Sequence, residues 1–301
     1  MSDVLLGVTL GQFTDDADRF ADSARRAEDL GFDSIWVFDH LWPLSGGKER
    51  PVLEGWTSLS WLAGATERVK IGTLVTRSSL RHPALLAKMA ATVGSVAPGR
   101  LIVAIGSGDE HSRGENEAFG IPYYAGGDRI GQLSATVKVV REFLGCDEVT
   151  VDDEFASIEK LPVSPRPPER PAIWVAGRAD DALEIAGTHG DAWNGWGDTP
   201  ERFAQDALRV AEFATSAGDR QVELTWGGLV VIGKDDDEAK EKLGTRDPNQ
   251  YLVGGPETVA RRLAPFIEAG ARHLILTFSD ALNPGSYELV AERVKPLLDR
   301  G

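Results

Sequence analysis

Eight short apolar runs, each followed by a helical pattern, constrain this 301-residue chain more than any other feature. The runs are residues 4–9, 34–38, 69–75, 101–105, 172–176, 191–194, 223–232 and 273–277. Continuous apolar, β-branched runs of this length read as parallel strands buried on both faces. Helical patterns fill the spaces between them. Over residues 15–30, Ala17, Phe20, Ala24, Ala27 and Leu30 share one face, and Gly31 stands where a C-cap is wanted. Further helices are expected over 56–66, from Pro83 to before Pro98, and over 129–144, 180–188, 200–217, 235–243, 257–269 and 287–298. Pro83 suits a first helical turn, where its missing N–H costs nothing. Eight βα repeats predict an α/β chain folded as a (β/α)8 TIM barrel. A doubly wound sheet is the rival, but its G-x-G-x-x-G fingerprint fails: Gly106 and Gly108 fit and His111 takes the third place. No linker divides the chain, so residues 1–301 are expected to form a single domain. The excursions after strands three and four and before strand five read as insertions. Residues 107–128 are polar and glycine-rich. Residues 148–170 suggest a surface hairpin or loop, closed by a proline-rich stretch ending at Pro171.

Charge narrows the partners. Lys plus Arg is 32 against 47 Asp plus Glu, a formal charge of −15, and the basic residues do not cluster. That argues against nucleic acid. No apolar run approaches the roughly 20 residues that cross a bilayer. Met1-Ser2-Asp3 lacks the basic start of a secretory signal, so a cytoplasmic setting is expected. A lone cysteine, Cys146, excludes an intrachain disulfide and is expected to be a buried thiol. His40, His82, His111, His189 and His273 are scattered, without H-x-H or H-E-x-x-H, so no metal is expected. There is no G-x-S-x-G elbow.

Barrel enzymes place their chemistry at the C-terminal strand ends. Asp39-His40-Leu41-Trp42 follows strand two, and Thr73-Leu74-Val75-Thr76-Arg77 closes strand three. Gly106-Ser107-Gly108-Asp109-Glu110-His111 follows strand four. Ala176-Gly177-Arg178-Ala179 follows strand five, and Asn194-Gly195-Trp196-Gly197 follows strand six. Each has an ordinary reading alone: a cap beside a surface histidine, a tight turn, a βα turn capped by Asp180 or Asp181. Their convergence on one rim makes them candidates. An imidazole titrates near neutrality and suits proton transfer. Gly177 permits close backbone approach, and the helix start beyond it suits a phosphate; Arg178 offsets the neighbouring carboxylates. Trp36, Trp61 and Trp174 fall in periodic segments and are expected in the core. Trp42 and Trp196 fall in rim loops and could stack on a flat substrate. The loops 45–51, 111–127 and 246–251, which would select that substrate, carry no readable motif.

Several segments together resemble the bacterial luciferase-like monooxygenase family. They are residues 27–40 (AEDLGFDSIWVFDH), 82–88 (HPALLAK), 98–108 (PGRLIVAIGSG), 187–194 (GTHGDAWN) and 254–259 (GGPETV), in family order. The resemblance spans about residues 4 to 278 and is strongest to the deazaflavin (coenzyme F420)-dependent oxidoreductases. It implies an eight-stranded barrel binding F420, or alternatively FMN, at the C-terminal rim. By that resemblance Asp39 approaches the deazaflavin and His40 lies at the reaction centre. Thr73-Leu74 forms a bulge, often with a non-prolyl cis peptide, under the ring. Thr76, Gly106, Ser107 and Gly108 contact the cofactor, and Ala176, Gly177, Arg178 and Ala179 hold its ribityl chain and phosphate. Relatives carry a Glu just past the strand-four glycines; here the run is Asp109-Glu110, and either could be the second catalytic acid. Arg178 also departs from the small residues common there. The implied activity is hydride transfer between the deazaflavin C5 and an organic substrate. Alternatives are an FMN monooxygenase fed by a separate reductase, a non-catalytic flavin binder and an unrelated barrel hydrolase or isomerase. A homodimer is expected, closed two-fold pairs being the commonest assembly.

Overall fold

The computed structural model describes residues 4–44, 46–278 and 284–298. The Met1–Asp3 segment and Ser45, the first residue of one rim loop, lie outside them. The strands are β1 (Leu5–Thr9), β2 (Ser34–Val37), β3 (Lys70–Thr73), β4 (Thr76–Arg77), β5 (Leu101–Gly106), β6 (Glu148–Asp153), β7 (Ala156–Pro162), β8 (Ala172–Ala176), β9 (Ala192–Trp196), β10 (Glu223–Ile232), β11 (Tyr251–Gly254) and β12 (Ala271–Phe278). The helices are α1 (Ala17–Asp29), α2 (Gly55–Ala65), α3 (Pro83–Val96), α4 (Arg113–Ala118), α5 (Gly126–Gly145), α6 (Asp180–His189), α7 (Pro200–Ser216), α8 (Asp236–Leu243), α9 (Pro256–Glu268), α10 (Pro284–Leu289) and α11 (Lys295–Leu298).

Pairing runs β10-β12-β1-β2-β3-β5-β8-β9, and β9 pairs again with β10, closing a parallel ring of eight strands. The expected (β/α)8 barrel is therefore the fold. The insertion before β8 is an antiparallel hairpin of β6 and β7. The excursion after β5 holds the short helix α4, which its polar, glycine-bearing sequence concealed. Tyr251–Gly254, of which only Tyr251 falls in an expected loop and the rest in no expected element, is a strand laid against the upper half of β10 at Leu229–Ile232. The expected strand 69–75 is broken. β3 pairs Gly72 with Ile102, but β4 pairs Thr76 with Ile105, so one extra residue bulges out between them. The cis peptide lies in this bulge, between Leu74 and Val75, one bond beyond the expected Thr73-Leu74.

Two apolar layers hold the ring. The outer one lies between strands and helices and includes Phe20, Trp56, Phe143 and Phe203. The inner one fills the barrel with Trp36, Leu74, Ile102, Ala104, Trp174, Ala192 and Ile275. The rings of Trp36 and Trp174 stand 5.0 Å apart. Trp36 fits because Gly72 lies against it: a Cβ at Gly72 would stand 2.5 Å from Trp36 Cζ3. The indole N–H of Trp36 donates to Ser34 Oγ at 2.6 Å, and that oxygen lies 2.7 Å from His273 Nε2. Burial, helped by the Lys70 charge, pushes His273 down to about 3, so its ring stays neutral in the barrel floor.

Two side chains depart from expectation. Trp61 is 39% exposed and packs beside Phe20 rather than in the core. Cys146 is exposed, because it caps the C-terminus of α5 where the backbone turns extended. No helix among the described residues is long and apolar enough to cross a membrane.

Candidate active site

The end of β2 carries Asp39 and His40 to the rim. Asp39 is buried, and its carboxylate is fully engaged. Oδ2 accepts from the Arg77 backbone N–H at 2.9 Å and from Arg81 Nη1 at 2.7 Å, and Oδ1 accepts from Arg81 Nη2 at 2.8 Å. The fork-on-fork geometry fixes both partners. Arg81 also meets Glu54. Arg77 Nε donates to the Asp39 carbonyl at 3.0 Å, so β4 is tied to the end of β2 twice.

His40 is joined by a carboxylate that no motif predicted. Glu115 Oε2 lies 3.0 Å from His40 Nδ1 and 3.1 Å from Arg77 Nη2. Glu115 Oε1 accepts the backbone N–H groups of Leu41 and, at 3.2 Å, Trp42. The Glu115 side chain is 1% exposed. Burial pushes its pKa up, but the bonds from His40 and Leu41 and the charges of His40 and Arg77 outweigh that and hold it below the usual carboxylate value. Its neighbour Asn116 accepts from Arg77 Nη1 at 3.2 Å and donates to the Pro122 carbonyl at 2.9 Å. Ser112-Arg113-Gly114-Glu115 matches the S-x-x-E pattern that precedes helices, a signal that could have located α4.

The two expected acids follow β5 on the same rim. Asp109 accepts from the Ser112 N–H at 3.0 Å, capping the short turn Glu110–Ser112. Burial raises its pKa, and the Ser112 bonds, with the charges of His111 and His40, bring it below the usual value. Glu110 is 71% exposed and pairs with Arg113 at 2.8 Å. Neither touches His40; that place belongs to Glu115, six residues beyond Asp109.

Thr73 and Thr76 brace the bulge from below. Both are fully buried, with hydroxyls 2.5 Å apart, and Trp56 Nε1 donates to Thr76 at 3.1 Å. Leu74 belongs to the inner core, and Val75 packs on it. Gly106 must be small, since a Cβ there would meet Val75 Cγ2 at 2.6 Å. Ser107 Oγ donates to the Gly108 carbonyl at 3.1 Å. Trp196 crosses Phe38 edge to face at 6.1 Å, half-buried at the mouth. Trp42 is already covered by the Lys48 ammonium, 3.9 Å over its ring.

The opposite side of the rim is less complete. Gly177-Arg178-Ala179 leads into α6, whose N-terminus has no side-chain cap. Arg178 is 58% exposed and reaches Asp198 Oδ1 at 3.0 Å. Asp198 is itself buried, with Oδ2 unpartnered. Burial raises its pKa; Arg178 opposes this and Asp206 adds to it. Asn194 Oδ1 is likewise buried without a partner.

Fold and rim together define a (β/α)8 barrel with a histidine–carboxylate corner after β2 and a glycine-bearing turn between β8 and α6. A family model described as luciferase-like monooxygenase matches residues 4–252. The chain belongs to the luciferase-like monooxygenase family. It is 28% identical to an F420-dependent glucose-6-phosphate dehydrogenase of Beutenbergia cavernae, over 90% of each chain. It is 31% identical to one of Intrasporangium calvum, over 85% of this chain and 87% of the relative. A solved F420-dependent secondary alcohol dehydrogenase, in complex with an F420-acetone adduct, superposes with a TM-score of 0.85 at 22% identity, covering 98% of this chain and 99% of that one.

Proposed function

We propose that this protein is an F420-dependent oxidoreductase that moves a hydride between the deazaflavin and an organic alcohol or carbonyl compound. What carries the reading is the match along nearly the whole chain to F420-dependent dehydrogenases. The donor set fits such a group. An uncapped helix start beside Arg178 suits a phosphate, and buried unpartnered oxygens on Asn194 and Asp198 suit donors from a bound hydroxylated chain. On this reading Ala176, Gly177, Arg178 and Ala179 hold the ribityl phosphate. Leu74, Gly106, Ser107 and Gly108 receive the ring, with Thr73 and Thr76 supporting the bulge. Asp39 acts through the Arg77–Arg81 frame rather than as a free carboxylate.

When bound, the deazaflavin supplies a two-electron carrier at C5 that exchanges a hydride with carbon. The protein handles the proton. His40 Nε2, which has no hydrogen-bond partner among the described residues, takes the proton of a substrate hydroxyl as the hydride leaves the carbon, and returns it in the reverse direction. Trp196, half-buried at the mouth, flanks the substrate. Neither Asp109 nor Glu110 is needed for this step. A homodimer in a cytoplasmic setting accompanies this reading.

The test is a titration of the cofactor-free protein with F420 and with FMN, followed by tryptophan fluorescence. Tighter binding of F420 is expected. Tighter binding of FMN, with oxygen uptake when reduced FMN is supplied by a reductase, would replace the reading with a monooxygenase. Binding of neither would remove both.

A further inference from the structure

We infer that Glu115 is a positioning residue for His40: its carboxylate fixes the imidazole tautomer and orientation, leaving the Nε2 lone pair aimed at the substrate. The inference rests on the reading of His40 as the proton-transfer group.

The chemistry is forced by what each atom can do. An ionised carboxylate only accepts hydrogen bonds. Nδ1, 3.0 Å from Glu115 Oε2, must therefore carry the proton. A neutral imidazole protonated at Nδ1 is bare at Nε2. Glu115 stays ionised because, besides His40, the Leu41 and Trp42 N–H groups donate to it and the Arg77 guanidinium charge lies 3.1 Å away. The charged groups around His40 come from every side of the corner. Glu115 comes from α4 and Arg77 from β4. Asp109 comes from the turn after β5, and Asp39 with Arg81 from the adjoining frame. Of these, only Glu115 contacts the ring.

The arrangement is also rigid. Exposed ion pairs contribute little and move freely. This carboxylate is 1% exposed and held at both oxygens, so the imidazole has one orientation before any ligand arrives. The same carboxylate pins the backbone of Leu41 and Trp42, so ring and loop are set together. A wrong tautomer is costly: in serine proteases, neutralising the orienting aspartate lowers turnover by about 10⁴ while geometry survives.

The test uses Glu115→Gln and, as a control in the same helix, the exposed Glu117→Gln. The first readout needs no cofactor: ¹⁵N–¹H correlation spectra of the His40 ring in its neutral form. Wild type and Glu117→Gln are expected to show the Nδ1–H tautomer, and Glu115→Gln a mixture or the Nε2–H form. The second is turnover, with about a 10- to 100-fold loss in kcat expected for Glu115→Gln and F420 affinity within about threefold. Urea midpoints report folding. An unchanged tautomer in folded Glu115→Gln overturns the inference, as does kcat within threefold of wild type. A kcat loss that only follows the folded fraction also overturns it. Failure of F420 to bind would sink the functional reading instead, and the tautomer spectra would still decide the role of Glu115.

Discussion

The floor of the barrel and its rim solve opposite problems with similar residues. In the floor, His273 touches a serine hydroxyl between two tryptophans and stays neutral. At the rim, His40 touches a buried carboxylate that bonds from His40 and Leu41, with the Arg77 charge, keep ionised. The floor has its polar atoms paired locally and its volume filled by Trp36 and Trp174. The rim collects charge: Asp39, Glu54 and Glu115 against Arg77 and Arg81. A buried ion network is a poor way to gain stability, because desolvation offsets most of the attraction. Its presence where the strands end, above a floor filled by tryptophan, separates holding the barrel together from arranging a reaction on it.

That separation can be broken experimentally. The largest effects should come from crossing one substitution in each region. His40→Ala should lower turnover by about 10²- to 10⁴-fold and leave F420 affinity and the urea midpoint nearly unchanged. Trp174→Ala should cost about 3–5 kcal/mol of stability, with kcat per folded molecule nearly unchanged. Equal loss of cofactor affinity and turnover in His40→Ala would show that the two regions are not divided in this way.

A second test separates the histidines by pH. His273 titrates at about 3 in the folded protein and near 6.5 when unfolded. Between those values the unfolded chain binds the extra proton, so stability is present above about pH 6.5 and falls on acidification. The fall should approach about 1.4 kcal/mol per pH unit within that window, and His273→Gln should remove this component. Parallel stability curves for the two proteins would mean that the floor histidine is not held neutral.

The smallest effect concerns the two sides of the rim. Burial raises the Asp198 pKa, so the folded state binds the proton more tightly and stability declines as pH rises through the folded value. Asp198→Asn should therefore match or exceed wild type in urea at neutral pH, with no advantage below about pH 4. Loss of stability at neutral pH would show that Asp198 is as firmly prewired as Glu115.

The barrel was legible because its strands are buried on both faces, and such strands announce themselves as unbroken apolar runs. The bulge at Leu74–Val75 and the strand Tyr251–Gly254 left weaker traces. One is an extra residue inside a run, and the other is a four-residue strand ending in glycine at Gly254-Gly255-Pro256. The rim positions of Asp39, His40 and Arg178 followed from chain order alone. Glu115 did not, because its contact with His40 depends on a six-residue helix folding back from an insertion onto the segment after β2. The family resemblance points to Asp109 or Glu110, which sit on the same excursion and turn toward Ser112 and Arg113.

The fit of Trp36 against Gly72 has a consequence for how this barrel can change over time. A methyl at Gly72 would collide with the indole and sit 3.0 Å from the Ile102 carbonyl; one at Gly7 would stand 2.2 Å from Ser34 Oγ. Gly7, Ser34, Trp36 and Gly72 are thus not four independent positions. A lineage can fill Gly72 only after, or together with, trimming the Trp36 indole, and can fill Gly7 only with a change at Ser34 as well. Single mutational steps from the glycine side are closed, so relatives that differ at one of these positions should differ at several.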